Sequence, residues 1–420
     1  MVPAQPKAGH RQPKPHIYGI EFPPTPVIIR PDMRRPPSSL APQPRQLVPS
    51  LLAWFAVHAR DLPWRRTRDP YAIWVSEIML QQTQVKTVIP FWERWLRELP
   101  TIAAAAKARP EQLHKLWEGL GYYTRVRNLQ RAAQQIVQNG KQPLEDGNAD
   151  YQFPEKFEEV LALPGIGRYT AGAICSIAFN QPTPILDGNV IRVLTRIFGL
   201  AENPKEKPAN AKLWQLAEEL VTHAQTLGTQ KKDSALRAAA PLLEENSCSH
   251  LNQSLMELGA LICTPRNAQC PLCPVKKWCV AHGENRVAEL PNLGARTAAT
   301  ARRYVAFVVE RDGRFLVRQR PAGGVNAQLW EFPNAEAGAD AAVAAIFRTE
   351  LGGTATDCQP LLTVKHSITR YRITLEVFRV ATKKISAGGG VWQTPAQLQT
   401  LAFTSAHRKI VRALVEHSPA

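Results

Sequence analysis

The sequence predicts two domains, an all-α domain followed by a smaller α+β domain. The chain has 420 residues, which is longer than one hydrophobic core usually supports. Through residues 48–283 apolar residues recur at intervals of three and four, the spacing of helices. Over 301–417 the apolar period shifts towards two, the spacing of strands. The intervening segment 284–300 is rich in turn-forming residues and is predicted to be a linker.

The first 47 residues are predicted to form a disordered tail. They contain 12 of the chain's 35 prolines and no sustained apolar period. Proline removes backbone donors and blocks helix formation. This composition suits a solubilising appendage and also a partner-binding segment. The N-terminus has no apolar core of a secretory signal, and we expect a cytoplasmic, nucleoid-associated protein without a membrane span.

The charge balance indicates a polyanionic partner. The chain carries 52 Lys and Arg against 35 Asp and Glu, a formal net charge of +17. Such a surplus favours nucleic acid, although acidic proteins and membrane surfaces attract basic chains too. The surplus is spread over the tail and both domains, so it does not locate a site. Seven cysteines are too few for a disulfide scaffold.

Helical spacing places the elements of the first domain. A helix precedes the turn-like DLPW at residues 61–64, and apolar residues recur at intervals of three and four in a second helical stretch from Tyr71 to Val88. Further helices are predicted at 111–117, 125–138, 155–162, 169–179, 189–197, 209–224 and 251–262. In the second domain, strands are predicted at 304–310, 314–320 and 369–380, with a helix at 341–350.

Four of the cysteines form a compact cluster in the sequence. Cys263, Cys270, Cys273 and Cys279 lie within 17 consecutive residues rich in Pro, Arg and Lys. Four thiolates in one short loop favour a soft metal site, either Zn²⁺ or a [4Fe–4S] cluster. The spacing alone leaves both open, because only the pair 270 and 273 has the CxxC form of a zinc knuckle. Cys175, Cys248 and Cys358 are interpreted as ordinary small apolar residues.

A glycine turn between two predicted helices is a candidate phosphate site. In LPGIGRYTAGAI, residues 163–174, Gly165 and Gly167 permit a tight turn and the close approach of another backbone. The N-terminus of the following helix presents free N–H groups that favour an anion such as a DNA phosphate. Many helical hairpins turn on glycine, so this motif is weak by itself.

Two carboxylates are candidates for acid–base chemistry. Glu77 stands among apolar and aromatic residues, and such surroundings raise a carboxyl pKa, so that the group can act as a general acid near neutral pH. The alternative is an ordinary glutamate on a helix surface. Asp187 precedes a Gly-Asn turn that opens another helix, where a simple N-cap is the alternative interpretation.

Taken in order, these motifs resemble those of the helix–hairpin–helix DNA glycosylases with a [4Fe–4S] cluster. Within that superfamily the chain is similar to the adenine DNA glycosylases of the MutY type, from about residue 47 to 417. The resemblance rests on SEIMLQQTQV, GLGYYTRVRNL, LPGIGRYTAGA, LDGNV and NQSLMELGALICTPRNAQCPLCPV. It implies an iron–sulfur cluster rather than zinc, a monomer, and duplex DNA carrying adenine opposite 8-oxoguanine or guanine.

The resemblance also implies roles for individual residues. Glu77 would protonate the extruded adenine, and Asp187 would stabilise the cationic sugar, because cleavage of a glycosidic bond needs an acid on the leaving group and an anion near the sugar. Tyr169 and Asn189 would complete the catalytic pocket. Other implied DNA or base contacts are Arg60, Trp64, Arg65, Gln82, Tyr122, Gln253, Gly165, Gly167 and His366.

Position 169 separates the two nearest enzyme classes. The endonuclease III-like relatives have a lysine there, which attacks the sugar as an amine nucleophile and allows strand cleavage. Tyr169 cannot form a Schiff base, so the sequence predicts a monofunctional glycosylase. The alternatives are a bifunctional pyrimidine glycosylase/lyase of the same fold and a DNA-damage binding protein without catalytic activity. The first conflicts with Tyr169, and the second with the intact pair of carboxylates.

The second domain resembles the Nudix-like domain that reads the damaged guanine in this family. LWEFPNAE matches the end of a Nudix strand, but the adjoining helix offers only Glu350 where a pyrophosphohydrolase needs several Mg²⁺-binding glutamates. The family's Phe-Ser-His reading loop corresponds here to Val364, Lys365 and His366. Either Ser367 replaces the missing serine, or discrimination is weaker and Lys365 contacts a phosphate. Residues 225–248 are predicted to be a surface insertion.

Overall fold

The computed structural model describes residues 42–140, 151–229, 246–295, 298–368, 370–382, 385 and 390–416. Within them an all-α domain precedes an α+β domain, as the sequence predicts. The prediction of a disordered tail falls almost entirely outside the described residues, and so does 230–245, the centre of the predicted insertion. The helices that the structure describes include none long and apolar enough to cross a membrane.

The first domain is a set of helices joined by short turns. Its predicted helices are present, with the bounds α1 Pro44–His58, α2 Pro70–Leu80, α3 Val85–Glu98, α4 Ile102–Lys107, α5 Pro110–Leu116, α6 Thr124–Asn139, α7 Phe157–Leu161, α8 Arg168–Phe179, α9 Gly188–Phe198, α10 Lys207–Thr229, α11 Ser247–Leu261 and α12 Val280–Gly283.

Two boundaries differ from the sequence prediction. Helix α1 begins at Pro44, inside the predicted tail, because Leu47 and Val48 are completely buried against the other helices. The helical stretch predicted from Tyr71 to Val88 is divided between two helices, since the chain breaks between α2 and α3 and Gln82 adopts a left-handed backbone conformation with φ 57°. Helical spacing continues on both sides of this break, which is why periodicity alone does not reveal it.

The helical domain contains two hydrophobic cores. One surrounds Trp74, Trp95 and Trp117, on helices α2, α3 and the segment after α5. The other joins α1, α9, α10 and α11. Helix α8 contributes to both, because Ile174 packs into the first core and Ala173 into the second. The two cores therefore meet along α8, and the clefts of the domain are expected at their junction.

The second domain is a mixed sheet with helices on both faces. Its elements are β1 Thr300–Arg311, β2 Arg314–Gln319, β3 Trp330–Glu331, β4 Asn334–Ala337, α13 Val343–Leu351, β5 Ala355–Ile368, β6 Tyr371–Thr382, β7 Val391–Gln393, α14 Pro395–Thr400 and α15 Ser405–Glu416. The sheet order is β3-β2-β1-β6-β5, with β4 on β1 and β7 on β2. Strand β6 runs parallel to β1, and the other pairs are antiparallel.

Strand β5 was not predicted from the sequence, and it contains the residues that were assigned to a reading loop. Lys365 pairs with Thr374 of β6, and Ser367 pairs with Arg372. Because side chains alternate along a strand, Lys365 and Ser367 lie on one face. Val364, which is buried, and His366 lie on the opposite face. The strand was missed because it alternates poorly and has an irregularity between Pro360 and Leu362.

Candidate active site

A cleft of about 550 Å³ opens where the two helical cores meet. This volume is in the range of small-ligand pockets and is large enough for a nucleobase. The walls come from α2, the segment 60–65, α8, the start of α9 and α11. The predicted site residues that line it are Arg60, Trp64, Arg65, Glu77, Gln82, Tyr169, Asp187, Asn189 and Gln253.

Glu77 is held in the cleft by a helix that is buried almost all round. Asp69 caps α2 by accepting hydrogen bonds from the backbone N–H groups of Tyr71 and Ala72. Glu77 is only 5% exposed, so the interpretation as an ordinary surface glutamate was wrong. Its Oε2 accepts a hydrogen bond of 2.8 Å from the hydroxyl of Tyr169.

Burial changes the acidity of Glu77. It raises the pKa of this carboxyl to about 7, and the negative charge of Asp187 acts in the same direction. The hydrogen bond from Tyr169 and the charge of Arg65 act against this increase in pKa. Near neutral pH a substantial fraction of Glu77 is therefore protonated, which is what a general acid needs. Burial and the neighbouring Glu77 also raise the pKa of Tyr169, whose hydroxyl remains a donor.

Asp187 is both an N-cap and a member of the cleft. Its carboxylate accepts hydrogen bonds from the backbone N–H of Val190 at 2.7 Å and from Nδ2 of Asn189 at 3.0 Å. Burial raises its pKa, whereas these hydrogen bonds favour the carboxylate form. Asn189 is in turn packed against α11, since a Cβ on Gly259 would lie 2.6 Å from the Asn189 Cβ. Capping thus fixes the position of the carboxylate without removing it from the cleft.

The glycine turn supports α8, which carries Tyr169. Gly165 has φ 79°, and a Cβ at this position would lie 2.5 Å from the Cβ of Asn128. Gly167 is the N-cap of α8 and has open space where a Cβ would point. Because glycine has no polar side chain, the first backbone N–H groups of α8 have no side-chain cap. The two glycines therefore have different structural requirements.

Two arginines on one wall are fixed by a carboxylate that the sequence analysis did not identify. Glu257 of α11 accepts hydrogen bonds from Nε and Nη2 of Arg60 at 2.8 and 2.7 Å, and from Nη2 of Arg65 at 3.0 Å. The backbone N–H of Arg60 also donates to it at 2.9 Å. Arg65 lies over the ring of Phe55, with its guanidinium carbon 5.3 Å from the ring centre.

Gln82 and Tyr122 lie in two turns that share one buried arginine. Both residues have left-handed backbone conformations, with φ 57° and 47°, and Tyr122 is 45% exposed. Arg125 is buried, and its guanidinium donates hydrogen bonds to both turns. The acceptors are the carbonyl oxygens of Ile78, Met79, Gln81, Leu120 and Gly121. Burial lowers the pKa of Arg125 to about 10, so it remains charged at neutral pH.

Four predicted site residues lie away from the cleft. Tyr122, Gly165, Gly167 and His366 are not among its lining residues. His366 belongs to β5 of the second domain, and its Nδ1 is buried without a hydrogen-bond partner in the described part of the chain. Contacts of these residues with DNA are therefore proposals that depend on a bound duplex.

The four clustered cysteines line one small cavity at the end of α11. The cavity is walled by apolar residues of α9 and α11 and by Arg196. Arg196 is buried, and its Nη1 lies 3.3 Å from Sγ of Cys263 and donates to the carbonyl of Thr264 at 2.8 Å. Burial raises the pKa of the Cys270 thiol, and the charge of Arg196 acts against this increase. Among the described residues no group of three or more His, Cys, Asp or Glu side chains is arranged to hold a single metal ion.

Only some of the structurally important residues that were not predicted carry a signal in the sequence. Glu257 lies between Met256 and Leu258, so the criterion applied to Glu77, an acid among apolar neighbours, would have identified it. Arg125 and Gly259 have no comparable signal. Arg125 resembles any basic residue of an amphipathic helix, and the requirement for glycine at 259 arises from the crossing of α11 and α9.

Comparisons with known proteins agree with this arrangement. Residues 75–219 match the HhH-GPD superfamily of base excision DNA repair proteins, and residues 304–413 match the NUDIX domain. The rat adenine DNA glycosylase is 33% identical over 88% of this chain and 78% of its own. The human adenine DNA glycosylase is 32% identical over 88% of this chain and 74% of the human protein. The adenine DNA glycosylase of Buchnera aphidicola subsp. Schizaphis graminum is 33% identical over 68% of this chain and 73% of the Buchnera protein.

Proposed function

The chain belongs to the adenine DNA glycosylases of base excision repair, and from this we propose that its cleft excises adenine mispaired with 8-oxoguanine or guanine in duplex DNA. The observation that carries the proposal is the buried Glu77, hydrogen-bonded to Tyr169 in a cleft that also contains Asp187. A bifunctional pyrimidine glycosylase/lyase is not favoured, because these relatives are adenine glycosylases.

In the proposed mechanism, Glu77 donates its proton to N7 of an adenine that has left the base stack. Protonation makes the base a better leaving group, and the bond between N9 and C1′ breaks. The carboxylate of Asp187 stabilises the positive charge that develops on the sugar, as in other glycosidic cleavages. Glu77, now ionised, accepts a proton from the attacking water. Tyr169 orients Glu77 through its hydroxyl and cannot act as an amine nucleophile.

The test is adenine release from a duplex with adenine opposite 8-oxoguanine under single-turnover conditions. The wild type is expected to release adenine without strand breaks before alkali, with a rate that falls as the pH rises through about 7, because Glu77 must be protonated. Glu77→Gln is expected to lose at least about 100-fold in rate. Glu218→Gln, an exposed glutamate of α10, is the matched control. Strand breaks before alkali, or no adenine from the wild type, would reject the proposal.

We further propose a [4Fe–4S] cluster held by Cys263, Cys270, Cys273 and Cys279. The four cysteines line one cavity together with Arg196, which supports a single site formed by their sulfur atoms. When bound, the cluster would cross-link the loop after α11. Protein purified without oxygen is expected to be brown and to contain iron, and a colourless protein containing only zinc would contradict this assignment.

The second domain is proposed to read the base opposite adenine. Lys365 and Ser367 lie on one face of β5. Ser367 can therefore contact the oxidised base only if the base binds two residues further along the strand than Lys365. We propose instead that Lys365 contacts a phosphate, which raises affinity without specificity. Lys365→Ser is then expected to weaken binding to duplexes with adenine opposite 8-oxoguanine and opposite guanine by similar factors. An unchanged affinity for both duplexes would contradict a phosphate contact at this position.

A further inference from the structure

Glu257 is a buried carboxylate that the proposed chemistry does not use. Its side chain is 1% exposed, whereas those of its two arginine partners are 36% and 14% exposed. Burial by itself raises the pKa of Glu257, but the hydrogen bonds from Arg60 and Arg65 and the charge of Arg65 outweigh this and lower it to about 2. Glu257 is therefore ionised throughout the working pH range.

The hydrogen bonds of Glu257 leave little freedom to the two arginines. Arg60 is bound in a forked geometry through Nε and Nη2, which is the strong, oriented form of an arginine–carboxylate pair. Arg65 is held at three points, by Glu257, by the carbonyl oxygen of Arg60 at 3.1 Å and by the ring of Phe55. One carboxylate thus fixes the wall of the cleft against which a base would lie.

The charge of Glu257 matters as much as its hydrogen bonds. Together with Arg60 and Arg65 it forms a set with a net charge of +1, and without its carboxylate the set would carry +2. The charged or titratable groups that face Glu77 are Tyr169 from α8, Asp187 from the start of α9 and Arg65 from the segment 60–65. An unneutralised Arg65 would favour the ionised form of Glu77 and would repel a positively charged base.

We propose that Glu257 is a positioning residue of the reaction, which fixes Arg60 and Arg65 and restricts their positive charge beside Glu77. The inference rests on the proposed function, since it concerns a transition state in which both the base and the sugar become positive. An enzyme accelerates a reaction through interactions that are stronger in the transition state than in the ground state. A fixed negative charge bound to both arginines and lining the same cleft is such an interaction, because it offsets their repulsion of the developing cation.

The test compares Glu257→Gln with the wild type over a range of pH. Glutamine keeps the shape of the side chain and loses its charge. The single-turnover rate of adenine release is expected to fall roughly 10- to 100-fold, and the pH at which the rate is half-maximal is expected to move down by about one unit. Binding to a duplex with a tetrahydrofuran abasic analogue opposite 8-oxoguanine is expected to stay within about threefold, which a collapsed cleft would not allow.

Two further variants complete the experiment. Glu218→Gln removes a charge from the exposed face of α10 and is expected to leave both the rate and the pH midpoint unchanged. Glu257→Asp keeps the charge but shortens its reach, so it is expected to lower the rate without moving the midpoint. It also provides the test if Glu257→Gln does not fold, because a wild-type rate in Glu257→Asp would overturn the proposal.

The outcomes also separate this inference from the proposed function. If the wild type releases no adenine, the proposed function fails. If the wild type is active and Glu257→Gln keeps its rate and midpoint, only the role of Glu257 fails. A loss of rate at every pH together with a loss of affinity for the abasic duplex would likewise overturn it, because that result indicates a purely structural carboxylate.

Discussion

Glu77 illustrates how one buried side chain links stability to chemistry. Burial destabilises its charged form and moves its pKa from 4.5 to about 7, which keeps a proton available for a leaving base. The same burial makes the ionised form costly to the folded protein. The stability contribution of this group is present below the unfolded-state pKa and is lost as the pH rises towards the folded-state pKa.

We therefore expect Glu77→Gln to stabilise the protein, and to do so more at high pH. A difference of about 2.5 pKa units corresponds to about 3 kcal/mol, of which about 2 kcal/mol develops between pH 5 and pH 8. Glutamine can still accept the hydrogen bond from Tyr169, so little is lost in exchange. The measurement is the thermal midpoint of both proteins at the two pH values. A gain in thermal midpoint that does not change with pH would show that ionisation of Glu77 does not destabilise the folded protein.

For single residues, the sequence predicts burial and chemical type better than the contacts that each side chain makes. The apolar neighbours of Glu77 were sufficient to predict its burial. For Asp187 the N-cap and the catalytic interpretation were set against each other, yet both hold for its position, because the capping residue also lines the cleft. Glu257 has similar apolar neighbours, which indicate burial, but its partners Arg60 and Arg65 are nearly 200 positions away in the chain and could not be predicted locally.

Among the structural elements, the glycine turn before α8 permits a sharp comparison. Gly165 has a positive φ and no space for a Cβ, whereas Gly167 has neither restriction. Gly165→Ala must shift Asn128 or the turn itself, and we expect it to destabilise the protein by about 2 kcal/mol and to weaken binding to the abasic duplex. Gly167→Ala is the matched control and is expected to change stability by less than about 1 kcal/mol.

Binding and stability measurements on both variants give the answer. If the two substitutions have equal effects on affinity, the backbone geometry at 165 is not what the turn requires. If Gly165→Ala is destabilised but binds normally, the turn supports the fold without presenting the α8 N-terminus to a phosphate. The expected result is that only Gly165→Ala loses both properties.

The elements themselves were predicted where local periodicity decides them and missed where pairing decides them. The helices α6, α8 and α9 agree with their predicted spans because their apolar faces repeat regularly. The break between α2 and α3 is held by Arg125 of a distant helix, which binds the carbonyl oxygens of Met79 at the end of α2 and Gln81 in the break. Strand β5 depends on its backbone pairing with β6, which a short segment of sequence around β5 does not reveal.

For the whole molecule, one polar contact between the two domains is centred on Glu118. The Oε1 of Glu118, in the helical domain, accepts a hydrogen bond of 2.9 Å from the backbone N–H of Phe403. Its Oε2 forms ion pairs with Lys115 at 2.9 Å and Arg408 at 3.6 Å. Lys115 in turn donates to the carbonyl oxygens of Gln399 and Leu401. Glu118 is nearly buried, with 10% of its side chain exposed.

This arrangement predicts that Glu118 couples the domains. Glu118→Ala would leave the N–H of Phe403 and the charges of Lys115 and Arg408 without their partner, at a cost of about 3 kcal/mol. Because the helical core is otherwise untouched, we expect the loss to be localised. Hydrogen exchange of residues 399–404 should accelerate, while exchange in α2 and α8 stays near the wild-type rate.

The functional consequence of this coupling can be measured separately. If the second domain reads the base opposite adenine, loosening it should reduce affinity for a duplex containing 8-oxoguanine more than affinity for one containing guanine. Glu93→Ala, an exposed glutamate of α3, serves as the control and should change neither exchange nor affinity. If affinity falls equally for both duplexes and exchange at 399–404 becomes faster, Glu118 stabilises the contact between the domains. Recognition of the opposite base would then not depend on this contact. Glu118 lies in the helical domain and Phe403 in the second domain. A role of their contact in recognition is therefore supported only if exchange at 399–404 becomes faster and affinity falls more for the 8-oxoguanine duplex than for the guanine duplex.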